Sequence, residues 1–209
     1  MNQILQTYLN NKKSNPRKSK NLLRFQLYCS IVIIILIISF IAYKSINLYK
    51  KEKYSKQLLN SYNITKIYSN LSSNYDKNTK NSNVIGIIDI PSINVNYPIF
   101  SEYTDELLKI SPCKFHGPSP GEFGNLCIAG HNYDNEKFFS KISTLDINDE
   151  IIIYNYNNKY SYYVFDIYEV KHTDLSSIYL YDENSIQLTL VTCNNFNSNR
   201  IIVKALYKN

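Results

Sequence analysis

The longest uninterrupted apolar stretch of the chain lies near its N-terminus, at residues 27–43 (LYCSIVIIILIISFIAY). It carries no charge, and as a helix its 17 residues span about 25 Å, the short end of a bilayer crossing. A cleavable signal peptide has a shorter apolar core and a cleavage site of small residues, which Ala42, Tyr43 and Lys44 do not supply. The pattern therefore predicts one uncleaved transmembrane anchor at 27–43.

The polar segment that follows, residues 44–83, is rich in Lys, Asn and Ser. Apolar positions recur in it at roughly helical spacing, namely Leu58, Leu59, Tyr62, Ile67 and Leu71. These positions predict a helical stalk that ends near Ser72. Residues 72–83 (SSNYDKNTKNSN) have the composition of a flexible linker. The whole of 44–83 is therefore interpreted as a stalk and linker that hold the next domain away from the membrane.

From Val84 onward the chain changes to short runs of β-branched and aromatic residues, separated by Pro, Gly, Asn and Asp. The runs span residues 84–90, 93–100, 125–130, 150–155, 160–170, 186–192 and 200–207. Two short helices are predicted between them, at 104–110 with Thr104 as N-cap and at 135–142. Seven or eight strands with so little helix predict an all-β fold for residues 84–209, as a closed or nearly closed β-barrel.

The formal net charge of +6 is concentrated partly beside the apolar stretch. Residues 1–26 contain no acidic side chain and six basic ones, namely Lys12, Lys13, Arg17, Lys18, Lys20 and Arg24. The positive-inside rule therefore places this tail in the cytoplasm and the C-terminal domain of a single-pass membrane protein outside the cell. Lysines that follow the anchor weaken this asymmetry, namely Lys44, Lys50, Lys51, Lys53 and Lys56. Because the membrane accounts for the basic excess, nucleic acid is not expected as a partner.

The four cysteines give little support for a disulfide framework or a metal site. Cys29 lies in the predicted anchor and cannot pair with the others, so at least one of Cys113, Cys127 and Cys193 is unpaired. C-x-x-C spacing is lacking and the chain has 3 His, so no structural zinc site, metal or cofactor is predicted. The scattered acids are interpreted as solvated surface, namely Glu102, Asp105, Asp149 and Glu150.

Candidate chemistry lies at the ends of predicted strands. Cys193 closes the apolar run LTLVTC before a polar loop, so its thiol is placed for reaction, whereas burial is the commonest fate of a free Cys. His131 follows NLCIAG at the end of another apolar run. A thiol with a distant His at another strand end is the arrangement expected for a nucleophile and its acid/base partner. His116, in the loop PCKFHGPSPGE, and His172, before a Thr-Asp turn, fit this role less well.

Arg200 opens the last predicted strand, seven residues after Cys193. The intervening loop can fold back and bring both side chains to the same end of two neighbouring antiparallel strands. A guanidinium is a permanent cation with several hydrogen-bond donors in a fixed arrangement. It can therefore stabilise a developing oxyanion or hold a substrate carbonyl. An ordinary strand-edge arginine is the alternative interpretation.

Taken together, these segments resemble the sortases, a family of Gram-positive transpeptidases that attach proteins to the cell wall. The family's TLxTC motif corresponds to residues 189–193, its downstream Arg to Arg200, and its GH at a strand end to residues 130–131. GNLCIAGH and IGIIDIPSINVNYPIF also resemble sortase segments, so the resemblance covers about residues 84–207. It implies a sortase-type β-barrel with a catalytic Cys, His and Arg, and it leaves the sortase subclass open.

The resemblance implies acyl transfer through a thioacyl intermediate on Cys193, with His131 as acid and base. Arg200 and Thr192 are expected to contact the substrate carbonyl. The expected substrate is the C-terminal sorting motif of a secreted protein, and the expected acceptor is an amine of a peptidoglycan precursor. Two alternatives stay open: a hydrolytic cysteine peptidase, and a non-catalytic, membrane-tethered barrel that binds peptide or wall polymer.

Overall fold

The structure, a computed structural model, describes residues 16–71, 84–133, 136–155, 158–180 and 184–208, with side chains of the first range described for 21–61. The chain divides into two compact units, residues 1–50 and 51–209. The predicted linker at 72–83 and the first 15 residues of the predicted tail lie outside the described residues.

Helix α1 runs from Pro16 to Leu71 and contains the predicted anchor at 27–43. Among the described residues it is the one helix long and apolar enough, by length and composition, to cross a membrane. Large apolar side chains of the anchor are exposed, with Phe40 at 67% and Ile41 at 56%. A helical segment whose apolar side chains are exposed on all sides is typical of a segment that lies in lipid.

The described part of the second unit contains eight β-strands: β1 (Val84–Ile90), β2 (Val95–Phe100), β3 (Cys113–His116), β4 (Gly124–Ala129), β5 (Glu150–Asn155), β6 (Asn158–Lys171), β7 (Ile186–Cys193) and β8 (Asn199–Tyr207). They close into a barrel in the order β1-β2-β3-β4-β7-β8-β6-β5, with β5 paired back to β1. Neighbours are antiparallel except β2–β3 and β4–β7, which run parallel. The predicted all-β barrel is confirmed, with eight strands in the described part of the chain.

Helix α2 (Asp105–Leu108) lies inside the predicted helix and begins as predicted. The N-cap is Thr104, whose Oγ1 accepts a hydrogen bond from Leu107 N at 3.1 Å and so satisfies a free N–H of the first turn. Strand β3 is absent from the predicted runs. It pairs antiparallel with β4 and places His116 at the end of a strand, which corrects the prediction of a loop there.

The predicted helix at 135–142 is wrong. Glu136 and Phe138 have φ angles of 60° and 56°, in the left-handed region, which an α-helix of L-residues does not contain. The chain turns here, and Phe139 N donates to His131 O at 3.0 Å. A 3₁₀ turn at Ile142–Thr144 follows. The buried aromatic face of this segment therefore results from a turn that folds back on the His131 backbone.

The barrel interior is filled by aliphatic and aromatic side chains contributed by most of the strands. On β7, Leu188 and Leu190 are fully buried members of this core. Because side chains alternate along a strand, Thr189, Val191 and Cys193 lie on the outer face of the same strand. The predicted nucleophile is therefore outside the packed core although its strand contributes two fully buried side chains to that core.

Candidate active site

Cys193 and Arg200 occupy the last rung of the β7–β8 pairing. Cys193 ends β7 and lies directly opposite Arg200 in the antiparallel register. The Cβ atoms of directly opposed residues are about 4.5–5.5 Å apart, so the thiol and the stem of the guanidinium side chain are neighbours. Both residues are partly exposed. The structure thus brings these two predicted residues together at one end of the barrel, where solutes have access.

His131 reaches the same end of the barrel through the parallel β4–β7 pairing. Ala129, the last residue of β4, lies opposite Val191 of β7. Gly130 N continues the ladder by donating to Val191 O at 3.0 Å. His131 therefore follows β4 at the level where Cys193 closes β7.

Two side-chain hydrogen bonds tie the His131 segment to the Cys193 segment. Thr192 Oγ1 donates to Gly130 O at 2.8 Å, and Asn132 Nδ2 donates to Cys193 O at 2.8 Å. The first bond joins the residues that precede Cys193 and His131, and the second joins Cys193 to the residue after His131. Thr192 is buried, at 2% exposure, with its hydroxyl engaged in this bond. Its expected contact with substrate stays a prediction.

Gly130 allows the chain to pass close to a buried ring. A Cβ atom at this position would lie 2.5 Å from Cδ2 of Phe139, whose side chain is fully buried. No side chain fits at that distance without displacing the ring. The Gly that precedes the predicted catalytic His is therefore required by packing, independently of any role in chemistry.

The imidazole of His131 is partly buried, and its ring centroid lies 4.8 Å from that of Tyr133. Its Nε2 atom is buried and has no hydrogen-bond partner among the described residues. Burial lowers the pKa of His131 below its ordinary value. The charges of Lys109 and Lys51 lower it further, against an opposing effect of Asp105. Neutral imidazole is therefore favoured near neutral pH, and one of its nitrogens can accept a proton.

Tyr103 is a neighbour of the site that no sequence motif reveals. It precedes α2, is 44% exposed, and its ring meets Phe115 edge-on at 5.4 Å between centroids. Burial raises the pKa of Tyr103, and the nearby charge of Arg200 opposes this rise. The loop after β2, which is distant in sequence from both strands, brings Tyr103 within the electrostatic range of Arg200 and Cys193.

The other thiols are placed unlike Cys193. Cys113 and Cys127 are fully buried, and burial raises their pKa to about 12 and about 11. Thiols that stay protonated in this way are poor nucleophiles. All four cysteines are free, which confirms that at least one is unpaired. His116 and His172 are both exposed, and neither belongs to the segment that is hydrogen-bonded to the Cys193 strand.

The first Thr of TLxTC and the Asn of GNLC have buried structural contacts. Thr189 Oγ1 donates to Asn125 Oδ1 at 2.7 Å, and Asn125 Nδ2 donates to Ser177 O at 3.0 Å. Lys204 Nζ, on the neighbouring strand, donates to Tyr179 O at 3.0 Å. These bonds hold the segment after β6 against the outer face of β4, β7 and β8. Within the described residues no group of three or more His, Cys, Asp or Glu is arranged to hold a metal ion.

Comparison with known proteins agrees with this architecture. The family model described as a Sortase domain matches residues 88–208, more than half of the 209-residue chain. The chain belongs to the sortase family. The resemblance drawn from TLxTC, the downstream Arg and the GH segment is therefore confirmed at the level of the family.

Individual sortases show how far the similarity extends. Sortase A of Bacillus anthracis is 31% identical over 123 residues, which cover 57% of this chain and 58% of that protein. This sortase thus matches less than two thirds of that curated relative. A Clostridium perfringens Sortase D5 transpeptidase has a TM-score of 0.59 at 28% identity, covering 77% of this chain and 97% of that one. A lid mutant of Sortase A from Corynebacterium diphtheriae has a TM-score of 0.56 at 27% identity, and the match covers 60% of this chain and 70% of that one.

Proposed function

We propose that this sortase is a cysteine transpeptidase in which Cys193 is the nucleophile, His131 the acid and base, and Arg200 the partner of the oxyanion. The observation that carries the proposal is the shared end of β4, β7 and β8. There Cys193 faces Arg200 across a rung, and two side-chain bonds join its segment to that of His131. The similarity to a Sortase D5 transpeptidase supports the same reaction class.

The first half-reaction forms a thioester. His131 accepts the thiol proton as the Cys193 sulfur attacks the carbonyl carbon of the scissile amide, and the carbonyl oxygen becomes an oxyanion. The Arg200 guanidinium donates hydrogen bonds to that oxygen, where its permanent charge has the largest effect on the barrier. The C–N bond then breaks, and His131 gives its proton to the leaving amine. The neutral state favoured for His131 suits its role as the initial proton acceptor.

The second half-reaction repeats these roles with a new amine. The amine nitrogen attacks the thioester carbon, and His131 accepts a proton from it. Arg200 again stabilises the oxyanion. The C–S bond breaks, the Cys193 sulfur regains its proton through His131, and a new amide leaves. Water in place of the amine would give hydrolysis with the same residues, so the acceptor decides between a transpeptidase and a peptidase.

The proposed substrate is the C-terminal sorting motif of a secreted protein, and the proposed acceptor is an amine of a peptidoglycan precursor. The proposed location follows from residues 27–43, which anchor the chain in the cell membrane with the N-terminus in the cytoplasm. Residues 84–209 then lie outside the cell, next to secreted proteins and wall precursors. Protease treatment of protoplasts should remove this domain and spare a small anchored fragment. A fully protected domain would refute the orientation.

The activity is tested with the full-length chain in detergent, a library of sorting-motif peptides and an excess of a small amine, with products read by mass spectrometry. The parent should form the amide of the added amine, and Cys193→Ala should form no product. Cys127→Ala, which changes a buried thiol, is the matched control and should keep most of the activity. Free acid as the sole product would indicate a hydrolytic peptidase. Peptide binding without any product would indicate a non-catalytic barrel.

A further inference from the structure

The turn between β7 and β8 joins Cys193 directly to Arg200 and is rich in asparagine. Here it is called the Asn turn and comprises residues 194–199, the last of which already opens β8. Glu169 on β6 accepts hydrogen bonds from three of its side-chain amides. The donors are Asn194 Nδ2 at 2.9 Å, Asn197 Nδ2 at 2.7 Å and Asn199 Nδ2 at 2.6 Å. One carboxylate therefore holds both ends and the middle of the turn.

The same asparagines also hold the backbone of the turn. Asn194 Oδ1 accepts from Phe196 N at 2.9 Å, and Asn197 Oδ1 accepts from Asn199 N at 2.8 Å. Asn194 N donates to Asn199 O at 3.0 Å and closes the hairpin. The side chains of Asn194 and Asn197 thus each use the amide oxygen to bind the turn backbone and the NH₂ group to bind Glu169. Through these two side chains the carboxylate of Glu169 restrains the backbone of the turn.

Glu169 lies close to the rung that the reaction needs. In the β6–β8 pairing Val170 is opposite Arg200, so Glu169 is one residue away from that rung. The Cys193–Arg200 pair is the last of the β7–β8 ladder and the one next to the Asn turn. Terminal rungs open first when the chain beyond them is unconstrained. Restraint of the Asn turn therefore acts on the pair formed by Cys193 and Arg200.

We propose that Glu169 is a positioning residue: its carboxylate fixes the Asn turn and thereby the mutual placement of the Cys193 thiol and the Arg200 guanidinium. The proposal rests on the proposed function, since it assigns those two groups to the reaction. Hydrogen bonds to a solvent-exposed carboxylate add little to global stability, so the effect falls on catalysis. The amides of Asn199, Asn197 and Asn194 also hold the pKa of Glu169 below its ordinary value, so the acceptor stays ionised at mildly acidic pH.

The test compares full-length Glu169→Gln with the parent in steady-state transpeptidation. Gln keeps the length of the side chain but replaces one acceptor oxygen by a donor, so it cannot accept all three amides. Misplacement of catalytic groups by a fraction of an ångström lowers the rate of the chemical step. We therefore expect kcat to fall at least about fivefold, while KM stays within about twofold of the parent value. Hydrogen exchange of the backbone amides of the Asn turn should become faster, while the rest of β7 and β8 is unchanged.

A double-mutant cycle separates positioning from an unrelated electrostatic effect. Asn199→Ala removes the donor of the shortest of the three bonds. If Glu169 acts through the Asn turn, Glu169→Gln in the Asn199→Ala background should add less than about twofold to the loss in kcat. Glu150→Gln is the matched control, because it makes the same change to an acid that is paired with Lys159 away from the Asn turn. It should leave kcat unchanged.

The outcomes distinguish this proposal from the proposed function. An active parent whose kcat is unchanged in Glu169→Gln would overturn the role of Glu169 and leave the transpeptidase intact. Fully additive losses in the cycle would overturn it as well, because Glu169 would then act without the Asn turn. A parent without transpeptidation would refute the proposed function. In that case, hydrogen exchange at residues 194–199 that is the same in Glu169→Gln as in the parent would overturn the restraint of the Asn turn by Glu169.

Discussion

Replacing Thr192 by Val removes one hydroxyl group while keeping a β-branched side chain of similar size. In the native structure this hydroxyl donates to Gly130 O at 2.8 Å, and the side chain is 2% exposed. The substitution leaves a carbonyl without this donor and places a methyl group beside it. Because Thr192 precedes Cys193 and Gly130 precedes His131, the lost bond is one of the two side-chain bonds that join the segment of the nucleophile to that of its proposed base.

The expected effect on stability follows from the burial of the pair. A buried hydrogen-bond group left without its partner costs about 1–3 kcal/mol. For a domain of this size each kcal/mol lowers Tm by about 3–5 °C, so Tm should fall by about 3–15 °C. The effect on activity follows from geometry, since loosening one of two bonds lets the His131 segment shift against Cys193. We expect kcat to fall about tenfold or more with little change in KM.

The assay measures Tm, kcat and KM of the full-length chain in detergent for the parent and two variants. Thr192→Ser keeps the hydroxyl and loses a methyl group, so it should recover most of the kcat that Thr192→Val loses. A Thr192→Val variant with an unchanged Tm and a raised KM would refute this reasoning. It would show that the hydroxyl contacts substrate, as the resemblance alone predicts.

Three further predictions test single groups of the site. Arg200→Lys should keep the parent Tm but lower kcat/KM about a hundredfold or more, because an ammonium lacks the fork of donors; activity within a few-fold of the parent would remove Arg200 from the mechanism. Gly130→Ala should lower Tm and kcat together, because its Cβ would lie 2.5 Å from the Phe139 ring. An unchanged Tm would contradict that packing. Iodoacetamide at about pH 8 should label Cys193 in the folded protein and spare Cys127, because burial raises the pKa of the Cys127 thiol to about 11. Labelling is read by peptide mass spectrometry, and equal labelling of the two thiols would contradict this prediction.

Most strands could be predicted because their signal is local. The runs at 84–90 and 150–155 coincide with β1 and β5 as observed. A β-branched run between turn residues prefers extended backbone wherever it is packed, so its neighbours in space need not be known. Strand β3 carries too short a run to give such a signal. It forms because Cys113 pairs with Phe100 on one side and Ala129 on the other.

The segment after His131 shows where local pattern fails. Phe138, Phe139 and Ile142 have the spacing of one helical face, and that spacing is the basis of the helix predicted at 135–142. The left-handed backbone of Phe138 and the bond from Phe139 N to His131 O come from tertiary packing. Burial of the Phe139 ring beneath Gly130 outweighs the small intrinsic preference for a helix in so short a segment.

The candidate site also has some features that local sequence predicts and others that depend on tertiary contacts. Cys193, His131 and Arg200 could be selected from sequence because each lies at a strand end inside a recognisable motif, and residue identity at such positions is a local property. The bonds that arrange them connect residues more than sixty positions apart, as between Thr192 and Gly130 or Asn132 and Cys193. Asn132 and Glu169 show no local sign of their partners.

The sequence by itself thus determined the long apolar helix, the β-barrel class, the family and the identity of three candidate catalytic side chains. Strand propensity, apolar length and motif order all act over a few neighbouring residues. Only the tertiary structure decided how the His131 segment is bonded to that of Cys193, what holds Arg200 opposite Cys193, and that Thr192 is buried. Those properties depend on the register of β4, β7 and β8 and on the closure of the barrel. Register is set by packing between segments that are distant along the chain.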